Sequence, residues 1–343
     1  MQRRTFSSAL ALTALTALAA ATATPALAAE ELRVMVHKSF ALPKLLLAQF
    51  EAESSVKLSL IQAGDAGEML NKLILTRAHP IADVVFGIDN ALQSKAQAAG
   101  VLDAHGVAVP SGQPQLGAQV LAVDYSYVAL NYDKAAVAQS GLPLPKSLED
   151  LTQPAYRNWL VVENPATSSP GHAFLLATIA GLGEEKAFDW WAKMRANGLK
   201  VSKGWSEAYY TEFSRNGGTR PLVVGYATSP AAEVFFSKEK ISESPTANLF
   251  FKGGVFRQLE GAALVKGGGQ RPAAVKFLEF LRSAPVQQAL QTSMWMFPLD
   301  AKTPRAEVMR HAPEPASFES LPPELIAKKG SQWVSRWTRV VLK

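Results

Sequence analysis

Five histidines offer metal-ligating or proton-moving chemistry, but His37, His79, His105, His172 and His311 are scattered along the chain. None stands in an HExxH or Cys/His spacing, which would bring two ligands onto one face. No Gly-x-Ser-x-Gly turn presents a serine nucleophile. The absence of cysteine excludes a thiol nucleophile, disulfides and a lipidated-cysteine anchor. Aromatic residues carry more information. Lys203-Gly204-Trp205-Ser206-Glu207-Ala208-Tyr209 is followed, after a polar loop, by Leu222-Val223-Val224-Gly225-Tyr226-Ala227-Thr228-Ser229-Pro230. Ser206 is a helix-capping type, and a helical run is expected over 208–213. Residues 222–226 form a short apolar run between Pro221 and a Thr-Ser-Pro turn, as in a buried strand. Trp205 and Tyr226 thus stand at the ends of elements, where α/β proteins gather ligands. The alternative for both is ordinary core packing.

The elements that must position them alternate. Strands are expected over 32–37, 56–61 and 82–86, with helices over 43–53 and 68–77 between them, a doubly wound α/β pattern. Residues 119–131 form an unusually long strand, able to cross from one lobe to another. A linker with Pro143 and Pro145 leads to a second unit: strand 159–162, helices 171–181 and 184–197, strand 199–203, and the Trp205 segment. Residues 250–266 read as a return crossover. The glycines 267–269 lack the strand-to-helix spacing of a dinucleotide fingerprint. Helices follow over 273–283 and 285–291, and Trp333 and Trp337 share one face of a last helix. The boundaries expected are lobe 1 over 29–124, lobe 2 over 125–254, and a return to lobe 1, for the most part, over 255–343. Periodicity alone gives α/β with two lobes.

Length and composition, 343 residues with 48% hydrophobic and 19% charged, suit a globular chain with one large or two medium domains. The start, Met1-Gln2-Arg3-Arg4-Thr5-Phe6, precedes an Ala/Leu/Thr-rich run and Ala26-Leu27-Ala28. That is an export signal over 1–28 with cleavage near Ala29. A membrane anchor is the competing reading, weakened by the Ala and Thr in the run. Paired arginines leave both the general secretory and the twin-arginine routes open. The formal charge is +6, of which Arg3 and Arg4 account for two, leaving +4. Those charges are scattered, so no nucleic-acid footprint is expected.

KGWSEAY, the later Y-x-TSPA and Trp295-Met296-Phe297-Pro298 resemble the periplasmic thiamine-binding proteins that serve ABC importers. Collinear with these are Ala82-Asp83-Val84-Val85, Gly87-Ile88-Asp89-Asn90, Val123-Asp124-Tyr125, Asn131-Tyr132-Asp133-Lys134 and Thr167-Ser168-Ser169-Pro170-Gly171. The resemblance implies a two-lobed, type II-like periplasmic binding protein with mixed sheets flanked by helices and a ligand cleft between lobes. It implies thiamine, or its mono- or diphosphate, as ligand, an ABC permease as partner, a monomer, a periplasmic location, and no catalytic residue, metal or cofactor. Thiamine pairs a permanently charged thiazolium with an aminopyrimidine and a hydroxyethyl arm. Indole or phenol faces stabilise such a cation by about 0.5–2 kcal/mol each, carboxylates suit the amine, and hydroxyls with helix N-terminal amides suit the arm.

Carried over position by position, the family's ligand residues fall on Asp65, Ser168, Trp205, Tyr226 and Trp295, with Ser169 beside Ser168 at the same helix start. Asp65 and Ser168 read equally well as helix caps. The chain departs from the family at His37, a ligand-binding candidate standing where a tyrosine ends the family's first strand; at Leu42-Pro43-Lys44, where a tryptophan is missing; and at Ala232, where a tyrosine is replaced. Tyr209, Tyr210, Phe235 and Phe40 are the aromatics available to compensate. Two alternatives stand. One is an importer protein for ferric ion, with Tyr125 and Tyr127 or Tyr209 and Tyr210 as ligands, or for a phosphonate or other small anion. The other is a secreted enzyme on the same scaffold, although the family's thiamine-degrading relatives need a cysteine that this chain lacks.

Overall fold

The computed structural model describes residues 30–343, so the export signal expected over 1–28 lies outside the described residues. The first lobe opens with β1 (Glu30–Val36), α1 (Lys44–Ser54), β2 (Val56–Gln62) and α2 (Ala66–Leu75). It continues through β3 (Val84–Asp89), α3 (Gln93–Ala98) and the short β4 (Leu102–Asp103). The long strand is β5 (Leu121–Asp133). The second lobe holds α4 (Lys134–Ser140), β6 (Leu160–Glu163), α5 (Ser169–Leu182), α6 (Glu184–Ala196) and β7 (Lys200–Ser202). The single turn α7 (Trp205–Glu207), β8 (Leu222–Tyr226), α8 (Ser229–Phe235) and β9 (Thr246–Leu249) complete it. The chain returns along β10 (Phe256–Val265) to α9 (Arg271–Leu281), α10 (Ala284–Ser293) and β11 (Phe297–Pro298), and ends in α11 (Pro323–Val341).

One curled sheet runs through both lobes in the order β2-β1-β3-β10-β5-β8-β6-β7. Strands β1, β2 and β3 pair in parallel, as do β6, β7 and β8, whereas β10 and β5 are antiparallel to their neighbours. Strand β5 does what its length suggested. Its first half pairs with β10 up to Val128↔Phe256, and its second half pairs with β8 and β9. Nearly every β5 side chain is buried, because the strand has packed material on both faces.

Each lobe has its own core. On either side of the first-lobe sheet, Met35, Met69 and Ile88 pack in one cluster, and Val34, Phe86 and Phe277 in another. In the second lobe, Phe174, Trp190, Trp191 and Trp337 meet edge to face at 4.9–6.2 Å between ring centroids, a favoured arrangement. Helix α5 is apolar on all sides and is covered all round through Ile179. The indole N–H groups of Trp190 and Trp191 are satisfied by the Leu148 carbonyl and Thr178 Oγ1.

Three local outcomes differ from expectation. Residues 208–213 do not continue as an α-helix. After α7 the backbone widens into a π turn, Ala208–Glu212, closed by the Phe213 N–H on the Ala208 carbonyl at 3.0 Å. The wider turn buries Tyr209 and Phe213 together, and such turns recur at functional sites. Expected with lobe 1, α11 instead packs on α6 and joins the second-lobe core through Ile326, Trp333, Trp337 and Val341. The chain therefore makes a third interlobe pass, and Glu319 lies along it. The Glu319 N–H donates to the Val255 carbonyl, and its carboxylate accepts from the Gly253 and Val255 amides. Finally, β9 and α8 had no signal in the sequence strong enough to place them.

Candidate functional site

The C-terminal ends of the parallel strands face one another across the gap between lobes. His37 follows β1, Asp65 follows β2 and Asp89 ends β3; Trp205 follows β7 and Tyr226 ends β8. These ends enclose a cleft of about 560 Å³, within the range of small-molecule sites. His37, Asp65, Ser169, Trp205, Tyr226 and Trp295 all line it. Ser168 does not: it is fully buried at the N-cap of α5, its hydroxyl makes no capping bond, and its neighbour Ser169 faces the cleft.

Aromatic rings form one wall. Trp205 stacks on Tyr209 at 4.9 Å and 23°, meets Tyr210 edge-on at 5.4 Å, and lies 6.3 Å from Tyr226. The stack is braced from behind, because Glu233 accepts from the Tyr209 hydroxyl at 2.9 Å and from Arg215 Nε at 3.0 Å. Burial, with Glu233 beside it, raises the Tyr209 phenol well above its ordinary range, so the ring stays neutral. Facing this wall, Trp295 meets Phe235 and Phe236 at 5.3 and 5.5 Å. Trp295 has a φ of 59°, a left-handed conformation unusual for a bulky residue, and strain of this kind concentrates at functional positions.

Of the aromatics available to compensate for the departures from the family pattern, two line the cleft, and Phe235 and Phe40 are not among its lining residues. Tyr209, Tyr210 and Phe236 line the cleft near Ala232. Phe40 takes no part; it is buried edge-on against Phe86 at 5.1 Å. Glu233, Phe236 and Glu260 are lining residues that the sequence reading did not single out. Phe236 directly follows Phe235 and shared its signal, but Glu260 sits in the middle of a strand with nothing local to mark it.

Asp65 and Glu260 line the floor, and the carboxylates of Asp89 and Glu163 are buried behind it. Asp65 caps α2 in a reciprocal box with Glu68, and its other oxygen accepts the Trp205 N–H at 3.0 Å. It is therefore both cap and site residue, and it joins the lobes. The seam is tight: a Cβ on Gly67 would lie 2.6 Å from the Thr167 backbone, and one on Gly204 would lie 2.7 Å from the Asp65 carboxylate. Lys203 Nζ pairs with Glu68 across the same seam at 2.5 Å. Asp89 is buried, accepts from the Ala91 and Leu92 amides and from Gln258, and is bonded to Ser169 of the other lobe. Burial pushes its carboxyl up to about 6. Glu163 is also buried, and burial raises it well above the carboxylate range. Against these stand Lys38 and Arg215, the latter matched by Glu233. The cleft combines aromatic faces with an acidic floor, a chemistry for a flat cation.

Tyr125 and Tyr127 are not cleft residues. Both hydroxyls donate to Glu314 at 3.2 and 3.1 Å, and Arg305 donates to the Tyr125 oxygen. Among the described residues, no group of three or more His, Asp or Glu side chains is placed to hold a metal ion.

Comparison with known proteins bears on the family and the fold. Residues 79–329 match the family model described as "Bacterial extracellular solute-binding protein". A Salmonella typhimurium protein named "Thiamine-binding periplasmic protein" is 33% identical over 330 residues, covering 93% of this chain and 96% of that one. A solved structure titled "Periplasmic thiamin binding protein" superposes with a TM-score of 0.80 at 30% identity, covering 91% and 96% of the two chains. A ferric binding protein from Campylobacter jejuni superposes at 0.73 with 20% identity over 90% and 99%, a likeness of fold alone.

Proposed function

Because the chain belongs to the bacterial extracellular solute-binding protein family, we propose that it captures thiamine in the interlobe cleft and delivers it to an ABC importer. The observation that carries this reading is the pairing of the Trp205–Tyr209 stack and Trp295 with the Asp65 and Glu260 carboxylates around one cleft. The thiazolium rests against indole or phenol faces, each contributing about 0.5–2 kcal/mol and more as water is excluded. Asp65 and Glu260 face it from the floor, with Asp89 buried behind Glu260. Ser169 and the first amides of α5 suit the hydroxyethyl arm or a phosphate on it. Closing the lobes over the ligand removes water from both faces. The chain acts as a monomer in the periplasm, handing its cargo to a permease driven by a cytoplasmic ATPase. It binds and releases without turnover.

The ferric alternative is the weaker one. Tyr125 and Tyr127 are committed to Glu314 and Arg305, and Tyr209 is committed to Glu233 inside the stack.

Titrating the mature protein with thiamine should quench tryptophan fluorescence and release heat with sub-micromolar affinity, about −8 kcal/mol or better. No response at high micromolar thiamine or its phosphates rules the reading out. Asp65→Asn separates two roles of one residue. Asparagine caps helices as well as aspartate does, so the melting temperature should hold within a few degrees. Affinity should nevertheless fall about three- to tenfold, since the charge facing the cation is lost and the one oxygen left for the cap cannot also accept the Trp205 N–H. Calorimetry and a thermal melt on the same sample check both.

A further inference from the structure

Beneath the cleft lies an arrangement that no single stretch of sequence discloses. Glu260 of β10 pairs in register with Asp89 of β3 on one side and with Asp124 of β5 on the other. Three carboxylates therefore stand abreast on adjacent strands at the crossing between lobes, although like charges set opposite one another in a sheet repel. Asp89 and Asp124 are fully buried and Glu260 is 6% exposed. Neither oxygen of Asp124 has a hydrogen-bond partner among the described residues. Beside the middle member of the row, His37 Nε2 lies 3.3 Å from Glu260 Oε1, while its Nδ1 accepts the Ser39 N–H at 3.2 Å. His37 and Glu260 both line the cleft.

We propose that this row, with His37, is the charge-selecting element of the cleft and that a cation entering it drives out a proton. The inference rests on the proposed capture of thiamine. Three buried carboxylates on paired positions of adjacent strands resist being ionised together, so the row retains protons while no cation neutralises it. Burial, then Glu260, keeps the Asp124 carboxyl protonated well above the ordinary carboxylate range. For His37, burial works against the charged ring, but Glu260, then Asp65 and Asp89, outweigh it and raise the imidazole above its usual value. Around His37 the charged groups are Glu260 from β10, Asp65 ahead of α2, Asp89 at the end of β3, and its chain neighbour Lys38. Asp124 faces Glu260, with Pro298 of β11 on its other side. A thiazolium beside Glu260 supplies the positive charge those protons had supplied. One proton then leaves for solvent, and the charge of the site is conserved. A neutral ligand has nothing to exchange, so the row discriminates by charge as well as by shape.

The sign follows from linkage: binding that releases protons tightens as pH rises, by up to about tenfold per pH unit for one proton. Calorimetric titration of the mature protein with thiamine at pH 7, in phosphate and in Tris, reads the exchange directly. The observed heat should differ between the buffers by the difference in their ionisation heats, scaled to release of about half to one proton per ligand. The double variant His37→Gln with Asp124→Asn should bind with the same heat in both buffers. Buffer-independent heat from the unaltered protein, or proton uptake, overturns the proposal while leaving thiamine capture standing. No heat in either buffer removes both. The comparison on unaltered protein decides the matter even where the double variant does not fold.

Discussion

Replacing Trp205 by alanine should weaken thiamine binding by more than tenfold while leaving the fold intact. The indole is only partly buried and packs on Tyr209, Tyr210 and Tyr226 at the cleft wall, outside the large cores. Its loss removes one cation-facing ring, worth up to about 2 kcal/mol in a desolvated site. It also uncovers Tyr209, so the remaining wall is wetted. A loss of about 1.4 kcal/mol is already tenfold in the dissociation constant. Trp295→Ala on the opposite wall should likewise cost more than tenfold. Calorimetric affinities read against circular dichroism melts test this. An unchanged affinity in both variants would take the aromatic sandwich out of the proposed function.

Trp337→Ala should do the reverse. Trp337 is fully buried and meets Trp191 edge-on at 5.5 Å in the second-lobe core, remote from the cleft lining. Truncating a buried tryptophan removes transfer energy and leaves a cavity, at a cost of about 3–5 kcal/mol. The denaturant midpoint should fall accordingly. Thiamine affinity, measured where the variant is still folded, should stay within about twofold, since the cleft residues are positioned by the strand ends. A stability loss under about 1 kcal/mol would mean that α11 is not the clamp its packing describes.

Several of the lining residues could be found in the sequence because they sit beside a break in periodicity. Leu222–Tyr226 is bounded by Pro221 and a Thr-Ser-Pro turn, and the strand has those limits. Asp65 follows a glycine at a turn; Trp205 follows another. Long β5 was legible as a run too extended for a single lobe. Where the reading stopped, the cause was distance along the chain. Glu260 and Asp124 lie 136 residues apart and meet only through strand pairing. Each looks locally like an ordinary polar residue in a strand. The placement of α11 was hidden for a related reason. An amphipathic helix announces an apolar face but not the lobe that receives it. Ser168 and Ser169 are adjacent in a helix-start motif, and only the direction of the backbone at the N-cap decides which hydroxyl looks into the gap.

The segment around Glu319 runs beside the two strands that link the lobes and is pinned to Val255, while Glu314 on the same segment holds Tyr125 and Tyr127. Three roughly aligned passes behave as three pins on a common axle. The halves of the molecule can swing about that line, but rotation about any other axis would have to stretch at least one pin. Opening is thereby reduced to a single coordinate, so the residues that line the cleft return to the same positions on every cycle of loading and release.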